Sequence, residues 1–361
     1  MPENKKHSVG GQALMEGIMM QGPEGTAMAL RLPDGRIETQ LKKVTLLRDK
    51  YKFFRIPFIR GPVNFVEQMI FGYKCLMESA EKTTVLEDTG EEEMSKLDKW
   101  LTDHFGPKMM AVIGVIAMVI AIAIGFLLFM WLPSFVADLI LGESANTWKP
   151  AIEGVMRIVI FVTYMYLTSL MKDIKRLFMY HGAEHKSIFC YEKGLELTVE
   201  NVRKQKRFHP RCGTSFIFLS LIVSIVISTT VVVIWPWLRD ENMRWIWMGI
   251  KILILPLIMS VGYELIRLAG KHDNILTRII SAPGTLMQRI TTKEPTDDII
   301  EVGILSIKVA LGLEKENINE LKKESETVNE TESIEMSSSY KNLSEQTGNE
   351  SVESETEDDV K

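Results

Sequence analysis

The sequence predicts a polytopic α-helical membrane protein with about four transmembrane helices and a small cytoplasmic α+β portion containing a β-hairpin. Three observations predict it. Four runs are long and nearly uncharged: Met109–Leu132, Ala151–Met171, Phe216–Trp235 and Ile246–Ile266. Each approaches the roughly 20 apolar residues a bilayer-crossing helix needs, and Met109–Leu132 holds no charged residue at all. Basic residues gather in one segment between the runs. Ahead of the runs, "GTAMALRLPDGRIETQ" alternates in polarity and turns at Pro33-Asp34-Gly35, as a hairpin does.

Residues 1–108 form a first, cytoplasmic region. They are polar and charged and carry no signal peptide, so the amino end is expected to stay where it is made. "GGQALMEGIMMQGP" (Gly10–Pro23) is rich in glycine, which lets backbone approach other groups closely. It is expected to be a tight turn leading into the hairpin; the alternative is a lid that brings Glu16 to a site. It lacks the spacing and lysine of a phosphate-binding loop, and no nucleic-acid partner is expected. "IPFIRGPVNFVEQMIFGYKCLMESAEK" has apolar residues at helical spacing and Pro62 near a helix start, which fits an interfacial or re-entrant helix.

Residues 109–266 form the four-span domain. Orientation follows from the linking segments, because cytoplasmic loops carry the excess of Lys and Arg. Pro133–Pro150 holds one basic residue, Lys149, and the link between the third and fourth runs holds Arg239 and Arg244. Lys172–Ser215 holds ten. Both termini and the middle loop, 172–215, are therefore expected on the cytoplasmic side of a bacterial cell membrane, with Cys75, Cys190 and Cys212 as reduced thiols. Residues 267–313 form a cytoplasmic helical segment in which "EPTDDIIEVGILSIKVALGL" starts with acidic residues suited to a helix amino end. From Glu324 to Lys361, within the tail 314–361, twelve acidic residues face two lysines. That is −10 of a total of −5, leaving +5 for the rest, and such a tail is expected to be disordered.

The chemistry concentrates in the middle loop. "HGAEH" sets His181 and His185 four apart, on one face of a helix, with Glu184 beside them. The order H-x-x-E-H is that of inverzincin peptidases, where the histidines hold zinc and the glutamate is general base. Two histidines do not complete a site. "FHPRCGTSF" adds His209 and Cys212 just before the third run, and Glu264 lies at the same end of the fourth. The duller alternatives are a turn at "HPRCG" and a Glu264–Arg267 pair.

"GGQALMEGIMMQGP", "HGAEHK", "FHPRCGTSF", "YELIRLAGK" and "APGTLMQRITTKEP" (Ala282–Pro295), in this order, resemble the YqhQ-like bacterial membrane proteins, the family of the domain of unknown function 1385. The resemblance covers about residues 8–312. It implies a polytopic membrane protein described as a predicted metal-dependent enzyme, and it supplies no reaction, substrate or ligand set.

The expected function is metal-dependent hydrolysis at the cytoplasmic membrane surface, on a lipid headgroup or a membrane-protein segment. His181 and His185 hold a divalent ion, expected to be zinc; His209 or Glu264 completes its shell, with Cys212 as a further soft ligand; Glu184 is the catalytic base. The alternative is a non-catalytic membrane factor that binds or regulates other membrane proteins in biogenesis, quality control or stress. A transporter is disfavoured, because charges near mid-membrane look few and no internal repeat is seen.

The topology is testable by cysteine labelling from outside the cell. A residue placed at Ser144 should react and one placed at Ser187 should not. The reverse pattern would put every motif in the wrong compartment.

Overall fold

The computed structural model describes residues 9–44, 47–84, 107–142, 148–271 and 274–318. Residues 319–361 of the acidic tail, His7, His104 and His272 lie outside them, whereas 314–318 are described. The amino-terminal portion is a four-stranded antiparallel sheet in the order β1 (Gly10–Leu14), β2 (Gly17–Gln21), β3 (Thr26–Arg31) and β4 (Ile37–Lys42). The expected hairpin is β3–β4, closed with Arg31 opposite Ile37 and with Gly35 at φ 85°. The glycine-rich stretch is not merely a turn leading into it. It is a second hairpin, β1–β2, with Leu14 opposite Gly17 and Glu16 at its tip at φ 49°. Strand alternation was invisible there because both faces of the sheet are covered, so Ile18, Met19 and Met20 are all buried.

On one face, Leu14, Met19, Met28 and Leu30 pack against Phe71, Cys75 and Leu76 of α1 (Arg60–Thr84). On the other, Ile18, Met20, Ala27 and Ala29 pack against Tyr180, Ala183 and Ile188 and against Ile299, Ile300, Ile304 and Ile307. The small residues of β3 fall on this second face, where helices come close. The Ser306 hydroxyl donates to the carbonyls of Ile18 and Ala27, at 3.0 and 3.2 Å.

Four helices are long and apolar enough to cross a bilayer. The first runs as α2 (Pro107–Phe126), a π-helical turn Leu127–Trp131 and α3 (Leu132–Leu141). The sequence run was expected to stop before Pro133, yet the helix continues. Pro133 cannot donate to the Phe129 carbonyl, and the Arg157 Nε donates to that carbonyl instead, at 2.9 Å. The others are α4 (Lys149–Thr168), α7 (Gly213–Ile234) and α8 (Arg244–Lys271). Their side chains point mostly outward: no residue of the most apolar window of the first helix is buried.

The long helices also bring charged side chains together. Glu153 and Arg157 of α4 meet Lys251 of α8, with the buried Glu153 carboxylate accepting from Arg157 at 2.9 Å and from Lys251 at 3.1 Å. With the Arg157 bond to the Phe129 carbonyl, these charges tie the first, second and fourth long helices.

The middle segment is not an open loop either. It is α5 (Lys172–Glu192), followed by α6 (Val199–Arg203). After α8 comes α9 (Ile275–Thr291), which packs against α7, α8 and α4 and turns Ile275, Leu276, Ile279 and Leu286 outward. The last helix, α10 (Asp297–Ala310), docks between the sheet and α5. Ser187 is fully buried within α5, so exposed Lys204 replaces it as the inner reporter for topology labelling.

Beyond α10 the chain seals the free edge of β4. Asn317 Oδ1 accepts from the Thr39 amide at 2.6 Å, and Glu316 accepts from the Leu41 amide at 2.6 Å. A chain ended after Glu320 keeps these bonds and should melt as the full chain does. One ended after Gly312 should lose about 2 kcal/mol of stability, at roughly 1 kcal/mol per net hydrogen bond. Equal melting of the two truncations would show that the edge needs no cover.

Candidate metal centre

His181 and His185 sit one helical turn apart on α5, with ring centroids 4.5 Å apart. α5 is held by three neighbours. At its amino end, Arg176 forms a two-pronged ion pair with Glu16, and the Tyr180 hydroxyl donates to Glu16 Oε2 at 3.0 Å. Glu16 therefore anchors the β1–β2 tip to α5 rather than serving as a lid group. Over the middle of α5 lies β1, so close that a Cβ on Gly11 would stand 2.9 Å from Glu184 Cγ. Across α5 runs the segment after α9. A Cβ on Gly182 would meet the Lys293 carbonyl at 2.1 Å, while the Lys293 amide donates to the Phe178 carbonyl at 2.8 Å.

That strap brings the Thr291 carbonyl to His181 Nδ1 at 2.8 Å, and the turn after α6 brings the Arg207 carbonyl to His185 Nδ1 at 2.5 Å. A carbonyl only accepts, so both rings carry a proton on Nδ1 and turn Nε2 inward. His181 Nε2 lies 3.1 Å from Cys212 Sγ at the amino end of α7. One ligand atom each from His181, His185 and Cys212 lie within 4.8 Å of one another. The three side chains are buried. Among the described residues, His185 Nε2 has no hydrogen-bond partner.

The electrostatics follow from this crowding. Burial alone would raise the Cys212 thiol, but the His181 and His185 imidazoles overcome it and hold the thiol well below its ordinary value. Burial would depress His181, and the adjoining Cys212 sulfur reverses that, raising it to about 9. Glu184 lies with an oxygen 4.0 Å from His181 Nε2, and burial raises its carboxyl.

The remaining sequence candidates fall differently. His209 stands beside the cluster, 5.6 Å ring to ring from His185, but its nitrogens are engaged. Its Nδ1 accepts from the Arg211 amide at 3.3 Å and its Nε2 faces Glu192 at 3.5 Å. Burial lowers it to about 4. Glu264 is not in the cluster: Arg60 grips both its oxygens, at 2.6 and 2.5 Å. Residues the motif reading missed are the orienters. Besides the two carbonyls, Gln288 of α9 clamps His209 by accepting from its amide and donating to its carbonyl, each at 2.7 Å. Gln288 and Thr291 lie in "APGTLMQRITTKEP", a stretch that had been noted without a role.

A membrane-type helical protein with a small sheet packed over a buried His-His-Cys cluster is the class these features define. The chain belongs to the family described as protein of unknown function DUF1385, whose model matches residues 56–313. That match begins after the sheet, later than the motifs suggested. The chain is 34% identical over 323 residues to the uncharacterized protein YqhQ of Bacillus subtilis (strain 168), covering 86% of this chain and 95% of that protein. No solved structure matches it.

The close contact at Gly182 gives a direct test. Gly182→Ala should lower stability by about 1–3 kcal/mol, the usual cost of overpacking. Gly213→Ala, where a Cβ meets nothing within 4 Å, should be near neutral. Thermal unfolding in detergent reads both. Equal melting temperatures would show that the strap across α5 is not tightly held.

Proposed function

We propose that the chain is a metal-dependent hydrolase of the bacterial cell membrane, with four helices crossing the bilayer, both termini cytoplasmic and the cluster at the cytoplasmic surface. The supporting observation is the partnerless, buried His185 Nε2 beside His181 and Cys212. A buried ring nitrogen without a partner is costly, and a ligand that accepts its lone pair removes the cost. Fixing each histidine through Nδ1 on a carbonyl is how metal-binding histidines are oriented. Two nitrogens and a thiolate with one position open suit zinc, and catalytic zinc sites keep three protein ligands. A bound divalent ion supplies Lewis acidity, polarising a carbonyl or phosphoryl oxygen and acidifying a water.

The protein's own groups do the rest. His181 and His185 present their Nε2 atoms at fixed angles, His181 giving up its second proton when an ion takes its place, and the low thiol value of Cys212 delivers it as thiolate. Glu184 stands within reach of the cluster as proton acceptor, its carboxyl raised by burial, as suits a general base. The sheet over α5 limits water. Substrates reaching this surface are lipid headgroups or membrane-protein segments.

Glu184→Gln keeps shape and removes basicity. It should retain metal and stability while losing function in a deletion strain, since general-base catalysis is worth about 10²–10⁴-fold. His185→Ala should lose metal and function together. Full complementation by Glu184→Gln would leave a structural metal, or a non-catalytic membrane factor, as the better description.

A further inference from the structure

Glu264 belongs to a different feature, at the carboxyl end of α8. There the chain forms an open groove of about 460 Å³ lined by Phe58, Val261, Glu264, Leu265, Arg267 and Leu268. Its walls are mostly apolar, with Glu264 and Arg267 as the charged lining. Two guanidiniums, Arg60 and Arg267, share the single Glu264 carboxylate. Arg60 is fully committed, with two short bonds. Arg267 approaches only to 3.8 Å, beyond hydrogen-bond distance, and is 41% exposed in its side chain.

Phe58 makes the other wall in a strained conformation. Its φ of 71° lies in the left-handed region, which is uncommon for a bulky residue and clusters at functional sites. The strain is held from outside: the Ser260 hydroxyl of α8 donates to the Phe58 carbonyl, and Gly61 abuts the Ser260 backbone. The result holds Phe58, 56% exposed as a residue, beside the groove. The preceding residues continue the pattern, with Tyr51, Phe53 and Ile56 exposed among Lys50, Lys52 and Arg55. Aromatic and basic side chains mixed in this way suit the headgroup layer of a membrane.

We propose that this groove binds one anionic phospholipid, with its phosphate on Arg267 and an acyl chain along Val261, Leu265 and Leu268. A lipid is the fitting occupant because the groove lies on the last turns of a helix apolar and long enough to cross a bilayer, Trp245–Gly270. An anionic headgroup is favoured because the local charge is +1 and guanidinium pairs well with phosphate. Glu264 then serves to hold Arg60 in place and to set the lip of the groove. The site stands independently of the metal centre.

The test is native mass spectrometry of the full chain in mild detergent, with phosphatidylglycerol or chain-matched phosphatidylcholine added. The wild type should retain one phosphatidylglycerol in preference to phosphatidylcholine. Arg267→Gln should weaken that retention about tenfold, the loss expected of one charge-assisted hydrogen bond. Arg267→Lys should keep most of it. Leu265→Trp, which fills the groove, should abolish it even with Arg267 intact. Equal retention by wild type, Arg267→Gln and Leu265→Trp would overturn the proposal. Displacement of the lipid by excess inorganic phosphate would also overturn it, showing a headgroup-sized anion site rather than a lipid groove.

Discussion

The cluster depends on one close approach of backbone to backbone. At Gly182 the α5 helix and the segment after α9 lie so near that any side chain would strike the Lys293 carbonyl at 2.1 Å. Without that approach the Thr291 carbonyl could not reach His181 Nδ1, and the ring would be free to turn. Gly11 does the same work on the other side, admitting β1 against Glu184. Two glycines therefore set the distance at which a sheet and a strap enclose two imidazoles. The cost is borne by packing: the sheet is covered on both faces, and α10 locks it to α5 through an almost wholly buried set of aliphatic residues.

The membrane-type helices supply the other half of the positioning. Cys212 is delivered by the start of α7, and the Thr291 carbonyl by the end of α9, which packs along α7 with Gly284 against Ser215. The same helix turns an apolar stripe outward while its inner face carries Gln288. A change in how these helices pack would thus reach His181 and His209 through one turn of α9. The Glu153–Arg157–Lys251 network steadies that packing at a distance from the cluster, its one carboxylate partnering two cations that would be costly alone.

What could be read from the sequence was whatever has a short period or a fixed spacing. The four apolar runs, the β3–β4 hairpin and the shared helix face of His181 and His185 all announce themselves locally. Long-range pairing does not. Nothing near Glu264 in sequence signals that Arg60, some 200 positions earlier, takes its carboxylate, so Glu264 looked available as a ligand. His209 likewise looked available until Arg211 and Glu192 were seen to occupy its nitrogens. The β1–β2 hairpin was hidden because strands covered on both faces lose their alternation. The π turn was hidden because the residue that compensates for Pro133, Arg157, lies on another helix. Backbone carbonyls as ring orienters leave no mark in sequence.

The central claim is that two nitrogens and one sulfur converge on a single ion. X-ray absorption at the metal edge of the full-length protein, purified without added chelator, tests it most directly. A cluster that holds zinc should give one sulfur neighbour at about 2.3 Å and nitrogen neighbours at about 2.0–2.1 Å. The sulfur signal should vanish in Cys212→Ser. A protein that carries no ion above background, or one whose bound zinc shows only oxygen and nitrogen neighbours, would contradict it.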